Sequence, residues 1–286
     1  MDGPSDRVPC CPARSNPGRS AGPPAAAGSS PLSPSRWAAA HAATAATPEY
    51  PPTSPDMQRA NPPHDGYAPL VGDNHETARV LLERRGQTYT EEAGIRLADR
   101  PGPLYQLLVL ATLLSSRIRA GVAVAAAREL FAAGYRTPSA MEAATWQDRV
   151  DALGRGHYRR YDERTATLLG TGARLCLDRW QGDLRRLHHA AQGRPTQLRR
   201  LLTAFPGIGP TGADIFLREA QAVWPDLRPF ADRRTLSGAE RLGLPQTPRR
   251  LASLVAEAEF GRFASALVRV ALGEESAGAV TREARR

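Results

Sequence analysis

The chain has 286 residues, a net charge of +9 and 38 basic residues, every one of them arginine. That length allows a substantial buried core, and the basic excess favours a polyanionic partner. Three cysteines, two of them the adjacent Cys10 and Cys11, exclude a disulfide framework or a metal knuckle, and a chain without lysine cannot form a Schiff base on a side chain.

Residues 1–75 are rich in Pro, Ala, Ser and Gly and show no sustained apolar period, so they cannot bury enough surface to offset the entropy of ordering. They read as a disordered tail, with Met57 an internal candidate start. The tail carries five arginines against six acids, which leaves 33 arginines against 23 acids in residues 76–286. The folded part therefore holds the whole basic excess. No charged start followed by an apolar run opens the chain, and the run from Leu104 to Leu114 is too short to cross a bilayer. A soluble, monomeric, cytoplasmic protein with no membrane partner is expected.

The first helix is expected near Glu76, with Thr77, Val80, Leu81 and Leu82, followed by a connector over residues 94–103. From Pro103 the density of Leu104, Leu107, Leu108, Val109, Leu110, Leu113 and Leu114 predicts a central helix covered on most sides. It ends in Ser115, Ser116, Arg117, Ile118 and Arg119. A helix over residues 122–131 comes next, then a turn marked by Gly134 and Pro138. Trp146, Val150 and Leu153 lead into the loop Gly154 to Tyr161, where Tyr158 and Arg159 offer a ring to stack and a charge for phosphate. A helix follows over residues 164–180, burying Cys176, and a short one over 183–191 with His188 and His189 at the surface. The last long helical pattern spans residues 248–272 with a break at Gly261, and the final residues read as frayed. No alternating run bounded by turn signals appears, so the fold is predicted to be all-α and multi-helical.

The centre of the chain is residues 198–222. Leu198, Leu201, Leu202 and Phe205 make an apolar helical stripe that stops at Pro206, Gly207, Ile208 and Gly209. After Pro210, Ala213, Phe216, Leu217 and Ala220 rebuild a second stripe. Helix, four-residue turn and helix leave backbone amides at the positive end of a helix dipole, a surface that suits phosphate.

This segment resembles the helix-hairpin-helix of the endonuclease III superfamily of DNA glycosylases, and the resemblance extends from Leu104 to Val270. It implies that Pro206, Gly207, Ile208, Gly209, Thr211 and Gly212 contact duplex DNA, helped by Arg233 and Arg234. It implies that Asp232, about two dozen residues past the hairpin, is the catalytic carboxylate. Asp232 also suits an N-cap for the next helix. Arg117 occupies the place of the family's gap-filling glutamine, and Gly156, His157 and Tyr158 resemble its lesion-facing loop. Trp224, Tyr158 and Phe230 are candidate pocket-lining rings. Two departures matter. Pro210, Thr211 and Gly212 stand where bifunctional members carry their lysine, and Cys176 alone cannot ligate the iron–sulfur cluster of many relatives. The resemblance thus implies a monofunctional N-glycosylase of base-excision repair, nucleoid-associated, with no cofactor beyond a monovalent cation at the hairpin. The alternative is a non-catalytic module that kept the hairpin and binds duplex DNA. Asp214, one turn into the second hairpin helix, suits an orienting role.

Overall fold

A computed structural model describes residues 71–286, with side chains from Asn74 onward. Expectations for residues 1–70, including Met57 and the cysteine pair, lie outside the described residues. Among the described residues the structure is all-α, with no strand. Helix α1 (Val71–Arg85) starts ahead of Glu76, and α2 (Tyr89–Glu92) is a single turn fixed by a capping box between Thr88 and Glu91.

Then come α3 (Pro101–Leu114), α4 (Ala120–Ala132), α5 (Pro138–Ala143) and α6 (Trp146–Arg155). Pro138 does not merely mark a turn. It opens α5, because its fixed φ suits a first helical position and Thr137 caps the amide of Ala140. Next are α7 (Asp162–Trp180), α8 (Leu184–Ala191), α9 (Pro195–Leu202) and α10 (Pro210–Ala220). The chain closes with α11 (Arg233–Arg241), α12 (Pro248–Ala252), α13 (Phe260–Leu272) and α14 (Ala277–Ala284).

Two expectations fail near the C-terminus. The break in the last helical pattern lies over residues 253–259, and Gly261 sits inside α13, where a side chain at that position would meet nothing closer than Gln221 Cγ at 3.6 Å. The terminal residues form α14 instead of fraying, because Ser276 caps Ala279 and Val280 is fully buried.

The predicted central helix is α3. Leu104, Leu107, Leu110 and Leu113 are fully buried in a cluster that also takes in α4, α6, α7, α8, α9 and α10, each such leucine contributing about 1.5–3 kcal/mol. A second cluster gathers α1, α11 and α14 around α13. Helices α11 and α13 touch so closely that a Cβ on Gly238 would lie 1.9 Å from the Leu267 carbonyl oxygen.

Helix α10 joins the two clusters. Its apolar face, Ala213, Phe216, Leu217 and Ala220, belongs to the first, while Glu219 Oε1 accepts from Ser265 Oγ of α13 at 2.7 Å. Arg218, Glu219 and Gln221 are consequently all buried.

Helix α1 is clamped to the C-terminal segment by Glu275, which is 3% exposed and accepts from Arg84 at 2.9 Å and Arg85 at 2.7 Å. Burial pushes the Glu275 carboxyl up, but Arg85, Arg84 and the Ser276 amide outweigh it and hold it below the ordinary value of 4.5. A carboxylate lowered on folding stabilises the fold fully above that ordinary value and loses the contribution as pH falls through its lower, folded value. Glu275→Gln is expected to lower stability by about 1–2 kcal/mol at pH 7, discounted because both arginines are partly exposed. Thermal melts at pH 7 and pH 3 check this, and the difference between variant and parent should shrink at the lower pH.

Candidate nucleic-acid interface

The hairpin forms as α9, a tight turn and α10. Gly207 has φ +84, and a Cβ there would also press on Leu168 Cδ1 at 3.1 Å and Thr112 Cγ2 at 3.2 Å, so conformation and packing both require glycine. A Cβ on Gly209 would meet nothing within 4 Å, so this glycine faces open space. Phe205 and Ile208 bury their side chains and anchor the turn to the core. Ile208 can therefore offer a ligand only its backbone.

The amides of Gly207, Gly209, Thr211 and Gly212 donate to no group among the described residues. The two helices are cross-tied by Asp214, whose Oδ1 accepts from Arg199 Nε at 2.7 Å, which is the orienting role expected of it. Gly212 itself is buried, since a Cβ there would lie 2.3 Å from Ser115 Oγ. It is a packing glycine that lets α10 approach the end of α3, and only its amide remains as a possible contact.

That approach builds a cleft of about 890 Å³ between the loop after α3 and helices α10 and α13. Arg117 and Arg119 stand on one side, with Thr211, Ile215, Arg218 and Arg234 facing them. Beside it lies a recess of about 420 Å³ that shares Thr211, Ile215, Arg234 and Leu272 with the cleft and adds Pro210, Asp214, Asp232 and Arg233. Arg117, Arg119, Arg233 and Arg234 are exposed and make no ion pair among the described residues. The start of α10, the start of α11 and the loop after α3 thus bring free guanidinium groups together with free amides.

Asp232 borders the recess but is only 6% exposed. It is the N-cap of α11: Oδ1 accepts from the Thr235 amide at 2.8 Å and from Thr235 Oγ1 at 3.1 Å. Oδ2 accepts from Arg218 Nη1, an ion pair whose members are 2% and 4% exposed. The N-cap reading of this residue is therefore realised, at the edge of the recess.

Tyr158 is a correction. It is 1% exposed and cannot stack on a base. Its hydroxyl donates to Ser116 Oγ at 2.7 Å and accepts from Thr165 Oγ1 at 3.4 Å. It acts as a strut under the loop that carries Arg117. Gly156 is likewise structural, since a Cβ there would lie 2.4 Å from Ala126 Cα. Arg159 remains exposed, but neither the cleft nor the recess includes it.

Trp224 and Phe230 are also core residues and line neither space. The indole donates to Asp99 at 2.9 Å and stacks on His188 with ring centroids 4.3 Å apart. His188 is consequently tied down, its Nε2 lying 2.9 Å from Asp226 Oδ2, instead of standing free at the surface. Cys176 is buried as expected, and burial pushes its thiol up to about 12, which leaves no reactive thiolate at neutral pH.

Arg218 is the residue that sequence spacing misses. On α10 it points away from the stripe of Phe216 and Leu217, so periodicity assigns it to solvent. The packing of α13 against that second face, and the ion pair with Asp232 just ahead of α11, bury it. Tyr89, whose hydroxyl donates to Glu274 at 3.0 Å, reaches the same cleft from α2 and carries no motif to flag it. Burial raises its phenol well above the usual value, so it stays a donor at neutral pH. Among the described residues no group of three or more His, Cys, Asp or Glu is placed to hold a metal ion, and no helix is long and apolar enough to cross a membrane.

No family model matches the sequence, and no curated protein matches it. Among solved structures the chain is similar to an endonuclease III trapped as a covalent intermediate with DNA, in an estranged-adenine complex. The identity is 14% over 70% of this chain and 85% of that one, with a TM-score of 0.41. At that degree of likeness, function has to be read from the chain's own residues.

Proposed function

We propose that this protein grips duplex DNA through its helix-hairpin-helix and acts as a monofunctional DNA N-glycosylase of the endonuclease III type. One observation carries the reading. Thr211 with its free amide, the unpaired Arg233 and Arg234, and Asp232 border a single recess that shares Thr211, Ile215, Arg234 and Leu272 with a cleft large enough for a nucleotide. Hairpin amides and the rim arginines hold backbone phosphates, and an extruded nucleotide enters the cleft. Asp232 supports the positive charge that grows on the sugar as the C1′–N bond breaks. It takes a proton from the water whose oxygen bonds to C1′, and the base leaves with the bonding electron pair and gains a proton. The chain has no lysine to carry the reaction on to strand scission.

A second reading has its own support. Both oxygens of Asp232 are engaged by Thr235 and Arg218. In a non-catalytic duplex-binding protein that acid would serve as a cap and ion-pair partner alone.

A panel of duplexes, each with one damaged base, separates the two when released base and strand scission are assayed apart. Base release that Asp232→Asn reduces by a factor of about 10³ or more, with duplex affinity nearly intact, is the expected result. Asparagine caps a helix as well as aspartate does, but it leaves Arg218 buried without an anion, so base release is compared only after a circular dichroism melt shows the variant folded at the assay temperature. Equal release by parent and variant would remove Asp232 from the mechanism. Salt-sensitive binding with no product from any lesion would establish the second reading.

A further inference from the structure

Arg218 closes the floor of the 890 Å³ cleft in an unusual state. Only one of its five N–H groups finds an acceptor among the described residues, the bond from Nη1 to Asp232, and the buried Nε has none. Buried guanidinium groups elsewhere in the same fold make more bonds, although the Nε of Arg269 likewise has no acceptor. Arg149 gives Nε and Nη1 to the carbonyls of Ala166, Met141 and Ala144, and Arg269 bonds Glu92, Glu274 and the Gln87 carbonyl. The lining of the cleft is mixed, with Leu114, Ile215 and Val268 beside Tyr89, Thr211 and Glu274, while the free charges of Arg117, Arg119 and Arg234 stand nearer solvent.

We propose that Arg218 is the specificity-determining residue of the cleft, reading a nucleobase that presents adjacent oxygen and nitrogen acceptors, such as the O6 and N7 edge of a 6-oxopurine. The proposal rests on the reading of the cleft as the seat of an extruded nucleotide. The apolar part of the lining suits the faces of a flat ring, and a planar fork of donors suits two acceptors on one edge. A phosphate has no flat apolar face for those walls, and the exposed arginines at the rim already offer it a wetter site. A 6-aminopurine places a donor where Arg218 needs an acceptor and is disfavoured. When the base docks, it takes the unused Nη hydrogens, since the buried Nε is out of a ligand's reach. Asp232 then shares its cation with the ligand and is less tightly neutralised, which couples recognition of the base to the acid beside it.

The test uses the full chain and two duplexes that differ in one nucleotide, hypoxanthine or adenine, each opposite an abasic analogue so that neither base is held by pairing. A third duplex carries the abasic analogue on both strands. The parent protein is expected to bind the hypoxanthine duplex about tenfold more tightly than the adenine duplex. Arg218→Met alone leaves Asp232 buried without a cation, so the decisive variant is Arg218→Met with Asp232→Asn, its folding confirmed by circular dichroism. It should bind the two duplexes alike. A preference that survives in the double variant, or a parent that favours adenine, overturns the assignment while leaving the cleft as a base pocket. Loss of binding to both base-containing duplexes with inorganic phosphate, at fixed ionic strength and with no preference between bases, would assign Arg218 to phosphate and overturn it also. A parent that binds all three duplexes equally shows that no base enters, and the proposed function of the cleft falls with the proposal.

Discussion

Arg218→Met is expected to destabilise the protein by about 3–5 kcal/mol, the cost of leaving one member of a buried ion pair without its partner. Asp232 is 4% exposed at its side chain and its Oδ2 faces no other cation among the described residues. The loss also reaches α11, since the same carboxylate caps that helix. For a chain of this size the melting temperature should fall by roughly 8–15 °C. Adding Asp232→Asn to the same chain should recover most of the loss, because it removes the uncompensated charge and keeps the cap. Calorimetry or a circular dichroism melt of the parent, the single and the double variant decides it. A single variant as stable as the parent would show that the pair is already accessible to water and that Asp232 is not locked.

The second large effect is on binding. Arg117, Arg233 and Arg234 are exposed and unpaired among the described residues, so replacing all three by glutamine should change stability little. If each neutralises one phosphate, the logarithmic salt slope of duplex binding should flatten by about 2.7, or about 0.9 for each contact. At 0.1 M salt the affinity should drop roughly 500-fold by the same relation. The loss should be similar for unrelated duplex sequences, since phosphate contacts carry no base information. Fluorescence anisotropy over a salt series measures both quantities, and a slope equal to the parent's would place the DNA elsewhere on the surface.

The two experiments bear on different parts of the site. On the proposed reading the arginine rim and the hairpin amides would bind by charge and geometry, independently of the chemistry. The Arg218 and Asp232 pair is buried, and the proposed chemistry would depend on it.

The all-α fold, the central helix α3 and the hairpin could be read along the chain because each is written in local terms: an apolar period of 3.6, proline at a first helical position, glycine in the turn. The N-cap at Asp232 was legible from residue type alone, whereas its place beside the hairpin came from the family resemblance. The aromatic residues were not. Tyr158 and Trp224 are equally suited by composition to stack on a base or to fill a core, and nothing in their neighbours distinguishes the two. Their partners lie in the loop after α3, in α8 and in the segment before α3, more than 30 residues away.

What the sequence settled by itself is a basic, lysine-free helical chain with a turn built to present amides, since charge, residue type and short-range periodicity do not depend on how distant segments meet. What only the tertiary structure decided is the state of the acid. Helix α10 is sandwiched between two cores, so Arg218 is driven inside on the face that periodicity gives to solvent. A guanidinium buried there must find a carboxylate, and the one within reach caps α11 at the edge of the recess.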